Sequence, residues 1–182
     1  MRATGIVRRI DDLGRIVIPK EIRRTLRLRE GTPLEIFTDR EGEVILKKYS
    51  PMAELGGFAG QYAEALAQNS GHMVCITDRD QVIAAAGGLR KDILQRGLSR
   101  GLEQAMHERE VLMTNKGEKG YVPVVEDEPE EIHGEVMVPI LCEGDVIGSV
   151  ILLNREDAAP MGEAERKLAG TAAGFLGKQM EG

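Results

Sequence analysis

The first 50 residues offer four short β-branched runs and one short helix, too little secondary structure to wrap a core of its own. Thr4-Gly5-Ile6-Val7-Arg8-Arg9-Ile10 and Arg15-Ile16-Val17-Ile18 read as strands. Asp11-Asp12-Leu13-Gly14 between them has turn chemistry, so the two form a hairpin-like pair. Pro19 suits a first helical position, and the helix runs from Lys20 to Leu28 before Gly31 stops it. Strands over Pro33 to Asp39 and Glu43 to Tyr49 come next, joined through Arg40-Glu41-Gly42. The missing core of this segment is expected from a second chain.

Charge separates the same segment from the rest of the chain. Residues 1 to 50 hold twelve Lys and Arg against eight Asp and Glu, whereas the other 132 hold twelve against twenty-two. A basic reader joined to an acidic module has this asymmetry, although the whole chain carries −6. At about 100° per residue, Lys20, Arg23, Arg24 and Arg27 fall on one stripe of the expected helix, with Ile22 and Leu26 opposite. Glu21 is the one acid near that stripe, so its charge is uncompensated and points to nucleic acid. Guanidinium groups suit such a face, because their planar donors pair with phosphate oxygens or with the guanine edge.

The uninterrupted run from Thr4 to Leu26 resembles the AbrB-type transition-state regulators. That resemblance implies a swapped-hairpin dimer, a mostly-β barrel shared by two chains, that binds double-stranded promoter DNA. By matching positions it implies DNA contacts at Arg8, Arg15, Arg23 and Arg24. Arg9, Lys20 and Arg27 join them from position alone. Arg23 and Arg24 suit either phosphate or base edges, whereas Arg8 and Arg15, on or beside strands, suit the phosphate backbone. No helix-turn-helix or zinc-finger spacing is visible, so DNA shape and flexibility contribute to sequence preference.

A change of composition at Tyr49-Ser50-Pro51 marks the domain boundary: a DNA-binding domain over 1–50, a linker start over 51–55 and a second domain over 56–182. In this half Met52, Leu55, Phe58, Ala59, Tyr62, Ala65 and Leu66 set a helix from Pro51 to Asn69, with a bend expected at Gly56-Gly57. Strands His72 to Thr77 and Gln81 to Ala86, a helix from about Lys91 to Glu108, and a strand at Val111 to Thr114 come next. A hairpin, Gly134 to Leu141 and Asp145 to Asn154, turns at Cys142-Glu143-Gly144. The last helix, from about Gly162 to Met180, turns Leu168, Ala172, Phe175, Leu176 and Gln179 inward. This α+β order with an antiparallel sheet resembles a GAF sensory domain over residues 56 to 178. The resemblance implies an unidentified small-molecule effector and pairing through the first and last helices, hence a homotetramer built from two kinds of dimer.

The other chemistry-bearing residues are read conservatively. Cys75 and Cys142 read as buried free thiols, which argues against the sulfoxide-reductase activity of some GAF-type proteins and against an enzyme in general. His72, His107 and His133 lack partners at ligand spacing, and no metal is assigned. Asn154-Arg155-Glu156 lacks the continuation that cyclic-nucleotide-binding GAF domains carry. The acidic run Glu126 to Glu131 reads as a solvated loop ahead of a lid or weak metal site. No apolar run is long enough to span a membrane, so a cytoplasmic, nucleoid-associated protein is expected. Two further readings stand beside a sensing regulator: an antitoxin-like interaction protein, and a second domain that serves only in assembly.

Overall fold

The computed structural model describes residues 5–88, 90–156, 158 and 160–181. Thr4, which opens the first expected strand, lies outside the described residues. The chain divides into two compact units, Met1–Tyr49 and Ser50–Gly182.

In the first unit, helix α1 (Lys20–Thr25) precedes an antiparallel pair, β1 (Leu34–Thr38) and β2 (Val44–Lys48), in register from Leu34↔Lys48 to Thr38↔Val44. The turn between them is held by Asp39, whose Oδ1 accepts from the Glu41 and Glu43 amides at 3.0 and 2.9 Å. The first expected strand pair does not form within one chain. Among described residues before α1 there is only a turn, in which Asp11 N donates to Arg15 O at 3.0 Å and Gly14 adopts a φ of 76°. β-Branched residues favour a ladder only where they have something to pack against. Here Val7, Ile10 and Val17 stand 84, 66 and 70% exposed, and Pro19 is the one buried residue described in the unit.

The expected helix over Lys20 to Leu28 is also shorter, and Pro19 caps it from outside rather than opening it. Arg27 takes a left-handed φ of 51°, Leu28 N donates to Arg23 O at 2.7 Å and Arg27 N to Arg24 O at 3.3 Å. These two bonds are a Schellman ending, which satisfies the last carbonyls and usually places glycine where this chain has Arg27.

The second unit is a five-stranded antiparallel sheet with helices on both faces. Its elements are α2 (Pro51–Glu54), α3 (Gly56–Ser70), β3 (Met73–Thr77), β4 (Val82–Ala86), α4 (Arg90–Ile93), α5 (Arg100–His107), β5 (Leu112–Asn115), β6 (Gly134–Cys142), β7 (Asp145–Asn154) and α6 (Glu163–Gln179). The strand order is β4-β3-β7-β6-β5. Alternation sends Val74, Ile76, Val136, Val150 and Leu152 into a core with Ala59, Ala63 and Ala67 of α3 and Ala169, Ala172, Ala173 and Leu176 of α6. Cys75, Met137, Ile151 and Leu153 enter a second core with Leu102, Ala105 and Met106 of α5 and with Val124, Val125 and Ile132. Coverage on both sides explains why β3 is buried along its whole length. The β6–β7 hairpin closes through Glu143 and Gly144, at φ 49° and 87°, the pattern of a two-residue type I′ turn.

Three helices differ from expectation. The helix expected over Pro51 to Asn69 breaks at Leu55, ahead of the glycine pair, which lies inside α3; Met52 before the break is fully buried in the first core. The helix expected from Lys91 to Glu108 is two short ones. Gln95, at φ 63°, and the bridge between Gln81 and Gly97 interrupt it, and Ser99 then caps α5 by accepting from Leu102 N at 3.0 Å. On α6, Leu168 and Phe175 are each 41% exposed and Gln179 is exposed, because alanines at 169, 172 and 173 bring the helix close to the sheet instead.

Candidate nucleic-acid interface

Helix α1 presents two chemically opposed sides. Ile22 and Leu26 line an apolar groove of about 510 Å³ together with Ile16, Ile18, Leu34 and Leu46. Lys20, Arg23 and Arg24 are exposed and do not line it, and Arg23 and Arg24 make no ion pair among the described residues. Arg8 also lines the groove, and its Nη1 donates to the neighbouring Val7 carbonyl at 3.3 Å. Arg9 is exposed beside it.

Arg15 is already engaged. Its Nε donates to Asp11 Oδ2 at 2.7 Å and its amide to Oδ1 at 2.8 Å. These bonds from Arg15 hold the Asp11 carboxyl below its ordinary value. The pair is solvent-exposed and contributes little stability, but it orients the guanidinium so that its two Nη groups are left for another acceptor. The expected stripe is not continuous either, since Arg27 lies beyond the end of α1. A non-glycine residue in the left-handed region costs about 1–2 kcal/mol. Arg27→Gly is therefore expected to stabilise the chain by about 1 kcal/mol in thermal unfolding. If the side chain serves DNA, the same variant binds DNA less tightly.

The second unit holds features that spacing alone did not reveal. Glu135, on β6, is fully buried against the second core; its Oε1 accepts from Val122 N at 2.9 Å and Thr114 Oγ1 at 3.1 Å, and its Oε2 has no hydrogen-bond partner. Burial pushes this carboxyl up to about 7. Glu128 accepts from Val124 N at 2.8 Å and from the Tyr121 hydroxyl, and burial raises its carboxyl as well. The alternation of β6 places Glu135 on the same face as Met137, a signal present in the sequence. The acidic run is no free loop. Arg100 N donates to Glu126 at 3.1 Å, Arg96 Nη1 to Asp127 O at 2.9 Å and Lys116 Nζ to Glu130 O at 3.2 Å, and Arg155 lies 3.5 Å from Glu131.

The thiols and histidines take the following places in the structure. Burial drives the Cys75 thiol far up, and burial with Glu143 raises that of half-buried Cys142, the opposite of what a thiolate nucleophile requires. His72 faces Glu165 at 3.4 Å and His133 faces Glu156 at 4.0 Å, carboxylate neighbours that linear spacing concealed. Among the described residues one carboxylate trio, Asp39, Glu41 and Glu43, comes close together; it is exposed and lies in the β1–β2 turn.

The chain thus joins a small unit with a cationic helix to a five-stranded antiparallel sheet layered between helices. Residues 54–181 match the family described as stage V sporulation protein T C-terminal, transcription factor, and residues 7–54 match antidote-toxin recognition MazE, bacterial antitoxin. Stage V sporulation protein T of Bacillus subtilis is 53% identical over all of this chain and 99% of its own. The transition state regulatory protein AbrB of the same organism is 59% identical over 28% of this chain and 52% of its own. The GAF domain of an Acinetobacter phosphoenolpyruvate-protein phosphotransferase superposes with a TM-score of 0.57 at 15% identity, over 74% of this chain and 84% of its own, a likeness of fold. The chain belongs to the stage V sporulation protein T family of transcription factors.

Proposed function

We propose that this transcription factor binds double-stranded promoter DNA as a dimer of its first 50 residues, through Arg23 and Arg24 of α1 and with Arg8 and Arg15 on the phosphate backbone. Arg9, Lys20 and Arg27 extend the same surface. The observation that carries the reading is the two-sidedness of α1: its apolar side borders an open groove while its guanidinium groups stand clear of it. A second copy seated in the groove covers the exposed side chains of Val7, Ile10, Ile16 and Val17 and lays its own strands beside them. Fluorescence anisotropy of labelled promoter fragments across several salt concentrations tests it. Eight arginines on phosphates would give a slope of log K against log salt of about −7 as an upper bound. A flat salt response from folded, oligomeric protein refutes DNA as the partner. The match of residues 7–54 to an antitoxin family keeps one rival, and a protein that co-purifies from the native cell in place of DNA would support it.

Residues 51–55 connect to a second domain, 56–182, that pairs and senses. Phe58 and Tyr62 of α3 meet Phe175 of α6 at centroid distances of 6.1 and 5.6 Å, and Phe58 and Phe175 remain 39 and 41% exposed. An aromatic ridge left this open suits burial against the same ridge of another chain, which makes a homotetramer of two kinds of dimer. Phe175→Glu is expected to halve the mass in sedimentation, from tetramer to dimer, while DNA binding persists. The effector is a small molecule received on the sheet face beneath residues 116–133, with no catalytic step, consistent with the raised thiols. No helix among the described residues is long and apolar enough to cross a membrane, and we place the protein in the cytoplasm at the nucleoid.

A further inference from the structure

Residues 116–133 form a lid that covers one face of the sheet. Val124, Val125 and Ile132 are fully buried beneath it, and Ser99 N donates to Val124 O at 2.9 Å. The lid lies tight against α5: a Cβ on Gly101 would stand 2.8 Å from Val122 Cγ1. Its outer clips to the rest of the unit, from Arg96 and Arg155, involve exposed groups, and such pairs hold a segment only weakly. Its inner fastening is Glu135, which binds the lid through Val122 N and strand β5 through Thr114 with the same oxygen. The other oxygen, Oε2, is buried with no donor. A carboxylate buried in this way has half of its acceptor capacity unmet, and two routes relieve it: taking up a proton, or opening the lid to admit water.

We infer that Glu135 is a proton-operated latch, which holds the lid shut when neutral and releases it when ionised. The groups facing Glu135 reinforce this. From the lid, Glu128 is a second carboxylate whose charge opposes ionisation of Glu135, and Tyr121 is occupied in donating to Glu128. β5 offers Thr114, β7 offers Leu153, β3 offers the neutral Cys75, and α5 contributes apolar Leu102, Ala105 and Met106. Of the cations, Lys116 acts on Glu128 and donates to the Glu130 carbonyl at 3.2 Å. Nothing among these groups supplies Oε2 with a donor.

Linkage sets the sign. With the lid shut the Glu135 carboxyl titrates at about 7, and exposed to water it returns to its ordinary value of 4.5. Between those values the closed form holds a proton that the open form has lost. Closure is therefore strongest below about pH 4.5, weakens as pH rises through the window, and levels off above about 7.

Native-state hydrogen exchange of the full chain, followed by mass spectrometry on peptides containing the Val122 and Val124 amides, tests this. After division by the intrinsic exchange rate at each pH, the wild-type opening constant is expected to rise about 40-fold from pH 5 to pH 7 and to level off within about another twofold above it. In Glu135→Gln, which keeps an oxygen for Val122 and Thr114, it is expected to stay flat. A flat wild-type response overturns the latch whatever the variants do, and so does an unchanged rise in Glu135→Gln. A rise that survives there but disappears in Glu128→Gln assigns the latch to the other carboxylate and equally overturns the inference.

Discussion

Arg23→Ala/Arg24→Ala is expected to lower promoter affinity by about 1,000-fold or more while leaving folding and oligomeric mass unchanged. Both side chains are exposed on α1 and neither lines the apolar groove, so truncation leaves the core contacts of the unit intact. Each arginine that reaches phosphate or a base edge contributes about 1–3 kcal/mol, and a dimer loses four of them. Four or more kcal/mol in total corresponds to at least about three decades in Kd. The salt slope should become shallower by about four units, because four fewer counterions are released. Anisotropy with the double variant, at matched salt, reads both quantities together. A loss of affinity with an unchanged slope would instead indicate that the helix supports the fold of the complex and does not meet phosphate. Arg15→Ala is a milder case, since Asp11 already shares that guanidinium.

Two glycines of the second unit should prove intolerant to a single methyl group. A Cβ on Gly148 would lie 2.0 Å from the Thr77 carbonyl oxygen, and one on Gly177 would lie 2.1 Å from the Leu141 carbonyl oxygen. Both obstacles are backbone, so no rotamer change relieves them. Around Gly148 the contact is fixed further by the Thr77 and Ser149 hydroxyls, 2.8 Å apart in a buried pair. Gly148→Ala and Gly177→Ala are each expected to cost about 3 kcal/mol, at the upper end for overpacking, and to lower Tm by about 10 °C. Gly56→Ala/Gly57→Ala supplies the opposite sign. Neither position has an atom within 4 Å of an added Cβ and both are helical, so the pair should gain about 1 kcal/mol. Calorimetry of the three variants separates close packing from mere glycine content. Equal small effects in all of them would mean that α6 and β7 can shift at little cost.

The range of each interaction decides how much of it could be read in the sequence. β1, β2, β3, β4, β6 and β7 were legible to within a residue, because alternation and turn residues such as Gly42 and Gly144 are local signals. The cationic face of α1 was legible for the same reason, as was the family relationship. The end of α1 was not, because Arg27 occupies a left-handed position that usually advertises itself as glycine. Nor was the absence of strands over residues 5 to 18, since β-branched residues signal strand propensity and say nothing of whether a ladder partner lies within the chain. The helix from Lys91 to Glu108 misled because its apolar spacing continues across Gly97 and Ser99, where capping chemistry prevails. Leu168 and Phe175 follow the helical repeat as faithfully as Ala172 and Leu176, and only the narrow gap between α6 and the sheet decides which of them faces inward. The inward side of Glu135 follows from the alternation of β6, but its partners Thr114 and Val122, like the clips on the acidic run, lie well away in the chain and beyond the reach of a local pattern.

The open groove of the first unit also bears on gene dosage. If its core is completed by a second chain, the DNA-reading form arises from an encounter of two molecules, and while chains are scarce its amount grows with the square of their number. A modest rise in synthesis is then amplified into a larger rise in promoter occupancy. The unfinished core becomes a threshold, and the cell would read the abundance of this regulator before the regulator reads its promoters.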